Sequence, residues 1–514
     1  MTRDHTATGD VHVPGRVGVP PAGFGVSPQR TFCVAREAAT QDASLGRRDA
    51  HPTRESMRSA QTRWALTPLR ERLRIVRELR HLIAENADAL AAAAAAVSDR
   101  PVTEKLVSEI LPLADSCRWL EKNAARLLAE RRHGKRGRPF WMQGVSFEVE
   151  RQPFGTVLVI GPENYPLFLP AVHSLHALVS GNAVLLKPAP GTREVALTFA
   201  SLACAAGLDP ALLIILPESI EAARDAIAAC VDKVVFTGSS ENGREVLALL
   251  AETNTPSVME LSGEDAMIVL ADADLELVVR ALRFGERLNG GETCIAPRRI
   301  IAIESIADAL HECLGSARAP RVGLGALAET SVTVGAVALP NKNAAARAGN
   351  DSPARARATT RKARALPEPR PFPIERAADD QHALALANAA DFALGASIFS
   401  RDIAKARALA AQIKTGFVLI NDLIVPTADP RMPFGGVRAS GFGTTRGDEG
   451  LLEMTHPHVV AIRRGRRHPH FDEPAPDDAH LFTAYIRAAH GRSRLAAIPA
   501  FLRALIAKSK PTNS

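Results

Sequence analysis

Between Gly155 and Gly263 the chain repeats one unit: a short apolar run, a Gly or Pro, then a stretch with helical spacing. The runs are TVLVIGP, AVLLKP, LLIILP and KVVFTG, separated by stretches such as TREVALTFASLACAAG and SENGREVLALLAE. A strand with one wet face alternates apolar and polar residues, whereas a continuous apolar run belongs to a strand buried on both faces. Such strands joined by helices dictate an α/β fold with a doubly wound parallel sheet. Ligands on these sheets bind beyond the carboxyl ends of the strands, where each Gly or Pro turn falls here.

The flanking regions carry different patterns. Residues 1–56 are rich in Gly, Pro, Arg and Thr without sustained periodicity and are expected to form a loose extension. Helical spacing begins near Arg58, is punctuated by Pro68, and returns in a second run expected from Glu104 to Arg131. QGVSFEVERQP alternates at period two, as a strand does. Residues 315–372 are Arg-rich and poor in large apolar side chains, which predicts loop or disorder; regular structure resumes with DDQHALALANAADFALGASIF. The basic tail, 461–514, ends in LFTAYIRAAHGRSRLAAIPAFLRALIAK and is read as amphipathic helix packed on a neighbour or subunit, in preference to a membrane surface.

With 46% hydrophobic residues among 514, the chain can build two or more domains. Its net charge of +7 raises the question of nucleic acid, but the basicity is confined to two segments: 318–370 nets +7 and the tail from His456 nets +6. The remainder is mildly acidic, and aromatics make up only 4%, leaving no platforms on which bases would stack. No nucleic-acid partner is expected. No apolar run is long enough for stable membrane insertion, and MTRDHTATGDVHVPGRVGVPPAG lacks the apolar core of a secretory signal. The six cysteines, at 33, 117, 204, 230, 294 and 313, show neither metal-ligand spacing nor a disulfide framework. The expectation is a soluble, cytoplasmic enzyme with reduced thiols and no metal.

Four segments hold residues suited to chemistry. Cys294 stands in RLNGGETCIAPRR, where Gly290 and Gly291 allow a close backbone approach. A lone cysteine is more often a small buried hydrophobe, yet a thiolate is the best side-chain nucleophile near neutral pH. Glu260 ends the apolar run SVMELSG; between Met259 and Leu261 it is either a strand-end charge or a partly desolvated general base. Asn164, in IGPENYPLFLP, lies between prolines and either caps a turn or donates its amide to a developing oxyanion. The turn from Gly238 to Gly243 in VVFTGSSENGREVL offers backbone N–H groups to a phosphate, though Ser239 and Ser240 also suit ordinary helix caps.

The order of these segments resembles the aldehyde dehydrogenase superfamily. GPENYP, GNAVLLKPAP, FTGS, MELSG and NGGETC are similar to its signature segments over residues 58–314, and PFGGVRASGFGTTRGDEGLLEMT carries the likeness through 373–460. The 34 residues from Glu260 to Cys294 match the spacing of base and nucleophile. The resemblance implies a Rossmann-variant cofactor domain over 57–262, with 139–152 in an oligomerisation element, and an α/β catalytic domain over 263–432. A return to the cofactor domain or subunit interface would follow over 433–460. It implies attack by Cys294 on an aldehyde, an oxyanion held by Asn164, and hydrolysis of the thioester by water that Glu260 activates. NAD or NADP would be held by Gly161, Pro162, Lys187, Thr237, Gly238, Ser239, Gly243, Leu261 and Ser262. The assembly implied is a homodimer or homotetramer.

The chain departs from that pattern in four places. Pro190 stands where many members carry a ribose-binding carboxylate, which relieves repulsion against the 2′-phosphate of NADP. Glu163 replaces an aromatic before Asn164, and Ser262 replaces a glycine beside the nicotinamide. Within 315–372 no E-x-F-G-P segment is found; Glu368 is the nearest substitute for its carboxylate. Alternatives are therefore an acylating or reductive relative, or a catalytically impaired homologue that acts as a binding or structural protein.

Overall fold

The computed structural model describes residues 54–98, 100–316, 373–465, 468–471, 473, 475 and 478–509. The expected loose extension through residue 53, residues 317–372 and Glu368 lie outside the described residues. Gly315 and Ser316 belong to the helix Glu304–Ser316, so the loop expected from 315 does not begin at those two residues.

The repeating unit builds the first sheet. Its strands run in the order Gly441–Phe442, Ser257–Glu260, Lys233–Thr237, Thr156–Ile160, Ala183–Lys187 and Leu213–Ile215. All neighbours pair in parallel except the edge strand Gly441–Phe442, which returns antiparallel to Ser257–Glu260. The absence of apolar/polar alternation is explained by two cores. Val157, Val159, Val184, Leu186 and Val235 pack with the helices Leu69–Glu85, Phe168–Val179 and Arg193–Ala205. Leu158, Ile160, Val234, Phe236 and Met259 point the other way, toward Ile220–Ala228 and Ser240–Thr253. Each fully buried side chain of this kind contributes about 1.5–3 kcal/mol.

After Glu260 the chain crosses, through Ser262 and Gly263, into a second sheet of five parallel strands. Their order is Ile374–Ala377, Arg299–Ile303, Ala266–Val269, Gly395–Phe399 and Phe417–Ile420. Its separate core joins Met267, Ile268, Ile300, Ile301 and Ile398 to Val278 and Leu282 of the helix Leu275–Arg287. Asp265 sits at the crossing, accepts the Gly395 N–H at 3.1 Å, and is pushed up to about 7 by burial.

The single helix expected from Glu104 to Arg131 is replaced by three pieces. Val102–Lys105 passes into a π-turn, Leu106–Ile110, and then into Leu111–Leu127, while Arg131–His133 forms a strand. Pro112 has no N–H for a carbonyl one turn back, so the ladder changes register before it. At this turn Lys105 Nζ meets Glu109 Oε1 at 2.8 Å, both side chains fully buried. Glu109 Oε2 accepts the N–H groups of Leu167 at 2.8 Å and Phe168 at 3.1 Å, donors at a helix start that have no partner within the helix.

A second unit comprises residues 130–149 and 459–514. Within it Arg131–His133 pairs antiparallel with Phe147–Val149, and the helices Asp478–His490 and Arg494–Ser509 lie against each other through Tyr485 and Phe501. No helix among the described residues is long and apolar enough to cross a membrane. Among the described residues Cys117, Cys204, Cys294 and Cys313 are free thiols.

Breaking the buried pair tests its place in the fold. Glu109→Ala is expected to lower the unfolding free energy by about 3–5 kcal/mol in urea denaturation, because Lys105 loses its counter-charge and two backbone donors lose their acceptor. A loss below about 1 kcal/mol would contradict that role.

Candidate active site

Strand register assembles the surroundings of Glu260. Glu260 stands beside Thr237 on one neighbouring strand and Gly441 on the other, and residues paired side by side share a face. Thr237 Oγ1 therefore donates to Glu260 Oε2 at 2.8 Å, and Thr445 Oγ1 donates to Oε1. Glu260 is only 4% exposed, so both hydroxyls replace water it has lost. Gly441, at φ +104°, is required here: a Cβ would overlap the Met259 carbonyl oxygen. On the far side of the carboxylate, His173 Nε2 lies 3.8 Å from Oε2 and has no hydrogen-bond partner. Burial lowers the His173 pKa and favours its neutral form.

The loop before Cys294 is shaped by three successive left-handed residues, Asn289 (φ +50°), Gly290 (φ +59°) and Gly291 (φ +75°). A Cβ on Gly290 would overlap the Arg100 guanidinium. The turn brings NGGETC against the segment containing Asn164. Asn289 Nδ2 donates to the Asn164 carbonyl at 2.8 Å, and Asn164 Nδ2 donates to the Glu292 carbonyl at 2.8 Å. Tyr165 and Thr293 share a hydroxyl hydrogen bond of 2.8 Å. Gly263 completes the convergence, since a Cβ there would stand 2.7 Å from the Cys294 carbonyl oxygen. Thus Asn164, Glu260 and Cys294 come to one place from two sheets.

Cys294 is a free, half-buried cysteine whose thiol is pushed up to about 12. Burial is the main cause; the charges of Glu260 and Asp265 add to it, and Arg446 opposes it. The thiol resting state is thus protonated, and its nucleophilicity depends on what else enters the site.

The other nominated residues line the carboxyl edge of the first sheet. Gly161 donates its N–H to the Lys187 carbonyl at 3.0 Å, and a Cβ on it would meet Pro170 at 2.7 Å; Pro162 follows, half-buried. Ser239 caps Ser240–Thr253 by accepting the Asn242 N–H at 3.2 Å. Ser262 Oγ receives the Ser240 N–H at 3.4 Å, so this departure from glycine is absorbed by the turn. Gly243 lies against Leu261, where a Cβ would approach within 2.5 Å, and Gly238 lies against the Phe236 ring. Thr237, at the end of its strand, commits its hydroxyl to Glu260.

This edge fits a dinucleotide. Lys187 is buried along its stem and pairs with no carboxylate among the described residues. The capped helix start at Ser239 and the bare glycines supply N–H groups and backbone access for phosphate. Although Pro190 removes one carboxylate, Glu218 brings another to the Lys187 corner, accepting the Arg193 N–H at 2.7 Å. A separate apolar cavity of about 290 Å³, lined by Met57, Ile214, Leu216, Ala226 and others, includes none of the nominated residues.

Sequence reasoning passed over Thr445, Arg446 and His173. Thr445 and Arg446 lie inside the quoted PFGGVRASGFGTTRGDEGLLEMT, but an Arg in a Gly-rich stretch reads as a solvated charge. His173 gives no signal at all, because one histidine in an apolar helix looks like core.

Comparison with known proteins agrees with this geometry. The model of the aldehyde dehydrogenase family matches residues 33–351 and 372–460. The match starts before residue 58 and continues past 314, so the likeness is wider than the motifs suggested. A 4,4′-diapolycopene aldehyde oxidase of Methylomonas sp. is 31% identical over 80% of this chain and 81% of its own. Succinate semialdehyde dehydrogenase [NAD(P)+] Sad of Escherichia coli is 31% identical over 69% of this chain and 80% of its own. The crystal structure of succinate-semialdehyde dehydrogenase from Burkholderia pseudomallei superposes with a TM-score of 0.66 at 25% identity, covering 80% of this chain and 89% of that one.

The raised thiol predicts a pH profile. Alkylation of Cys294 by iodoacetamide in the free protein should rise about tenfold per pH unit through pH 9, with no plateau below about pH 10. Mass spectrometry of the Cys294 peptide would follow it, and a plateau near pH 7 would contradict the desolvated site.

Proposed function

The chain belongs to the aldehyde dehydrogenase family, and we propose that it converts an aldehyde to a carboxylic acid through a thioester on Cys294 that Glu260 hydrolyses. Its class is that of the NAD(P)-dependent aldehyde dehydrogenases, oxidoreductases that use NAD or NADP. The observation that supports the finer reading is the meeting of three segments. The Asn164 amide binds the carbonyl of Glu292, two residues before Cys294, and Gly263, three residues after Glu260, abuts the Cys294 carbonyl.

In this reading the Cys294 thiol gives its proton to solvent, and the sulfur attacks the aldehyde carbon. The second N–H of Asn164 and the Cys294 backbone N–H receive the oxyanion that forms. The nicotinamide, when bound, supplies the acceptor for the hydride whose departure turns the adduct into a thioester. Gly161, Pro162, Lys187, Gly238, Ser239, Gly243, Leu261 and Ser262 would hold the dinucleotide, with Thr237 acting through Glu260. Glu260 then takes a proton from water, which attacks the thioester carbon and releases the acid and the free thiol. Two hydroxyls fix the buried Glu260 carboxyl in place for this role. The same base has no task in transfer to another acceptor, which favours hydrolysis over the acylating alternative.

Assembly follows the same reading. Phe147, Val459, Val460 and Ile462 are exposed apolar side chains on strands of the second unit, a surface suited to a homodimer or homotetramer.

The test is NAD(P)H formation across a panel of aldehydes, with NAD and NADP assayed separately. Cys294→Ala should abolish it, and Asn164→Ala should lower kcat by about 10²–10³. Glu260→Gln should still release about one NAD(P)H per active site in a burst and then stall, since only the second step needs the base. Equal, negligible rates in the folded wild type and Cys294→Ala would favour a non-catalytic homologue. Acyl-CoA formed on adding coenzyme A would favour the acylating one.

A further inference from the structure

The mechanism so far leaves one buried charge unused. Arg446 is 4% exposed, stands at φ +58°, and directly follows Thr445, the residue that donates to Glu260. Its guanidinium carbon lies 4.3 Å from the Phe434 ring centroid and 5.7 Å from that of Phe168. One Nη donates to the Thr427 carbonyl, Nε has no hydrogen-bond partner, and no carboxylate among the described residues forms an ion pair with it. A buried cation without a paired anion is costly, and the cost persists only where the charge has a use. Two aromatic faces repay part of it, and they also fix the guanidinium in place.

The groups around this charge identify the use. Phe168 begins the helix that follows Asn164 and Tyr165, Phe434 bridges to Thr445, and Thr445 holds Glu260. The ionisable groups that feel Arg446 are Glu260, Cys294, Tyr165, His173 and His176. Asp265 also faces Cys294. Tyr165 and both histidines are neutral at physiological pH, being shifted away from their charged forms by burial. Cys294 must therefore ionise in a low-dielectric site that already holds the carboxylate of Glu260, with Asp265 close by. Without a cation, nothing would offset the repulsion between a thiolate at Cys294 and the acidic side chains around it.

We propose that Arg446 is a positioning residue that supplies the fixed positive charge against which Cys294 ionises beside the buried Glu260. The idea rests on Cys294 as the nucleophile, yet its readout is thiol reactivity and requires no turnover. A failure of the aldehyde assay and a failure here are thus separate results.

The experiment measures the alkylation rate of Cys294 by iodoacetamide between pH 7 and 10, followed on the Cys294 peptide. Wild type, Arg446→Lys, Arg446→Met and Arg446→Gln are compared as full-length proteins. Lys and Met have nearly the same length and volume, so their difference isolates charge from shape. Loss of the charge should slow alkylation about tenfold at fixed pH in Arg446→Met and Arg446→Gln, equivalent to about one pH unit. Arg446→Lys should stay within about threefold of wild type. Folded Met and Gln variants with wild-type rates would overturn the proposal, as would equal slowing in the Lys variant. Failure of both neutral variants to fold would overturn it too, because Arg446 would then be a structural residue.

Discussion

The carboxylate of Glu260 is the point on which the site depends. It ends a strand whose register sets Thr237 on one side and Gly441 on the other, so its position is fixed by backbone pairing before any side chain acts. The hydroxyls of Thr237 and Thr445 satisfy it, and their strands come from distant parts of the sequence. Three residues further on, Gly263 admits the Cys294 carbonyl where any side chain would exclude it. Glu260 therefore ties the first sheet, the returning edge strand and the loop before Cys294 into one arrangement.

Electrostatics explain why such a site is quiet at rest. Burial keeps the Cys294 thiol protonated, and Glu260 and Asp265 reinforce that. Arg446 works in the opposite direction from a place shielded by Phe168 and Phe434. A low dielectric magnifies both effects, so small changes of occupancy near the sulfur shift its reactivity strongly. His173, neutral and with a free Nε2 beside Glu260, keeps a second positive charge out of the same space.

Much of the fold was legible because its strands are buried on both faces and end at Gly or Pro. TVLVIGP, AVLLKP, LLIILP and KVVFTG each became a strand of the first sheet. Gly441–Phe442 was not legible, since a two-residue edge strand has no periodicity to read. The run from Glu104 was misread as one helix because a π-turn keeps helical composition while changing hydrogen-bond register. Cys294, Glu260 and Asn164 were legible from motif order, and their convergence is geometric support for it. Thr445 and Arg446 were not, because their roles arise from a strand returning to a sheet that begins nearly 290 residues earlier in the chain. Glu218 was missed for a related reason: local sequence shows Pro190 losing a carboxylate but not a neighbouring strand end restoring one.

The central claim is a covalent intermediate on Cys294 that Glu260 clears. It is tested most directly by intact-protein and peptide mass spectrometry of Glu260→Gln, quenched in acid after mixing with an oxidisable aldehyde and NAD or NADP. The account predicts that the Cys294 peptide gains the mass of the acyl group, and that the gain is absent without the dinucleotide and in Cys294→Ala. NAD(P)H formed while Cys294 stays unmodified, or an acyl group carried by another residue, would contradict it.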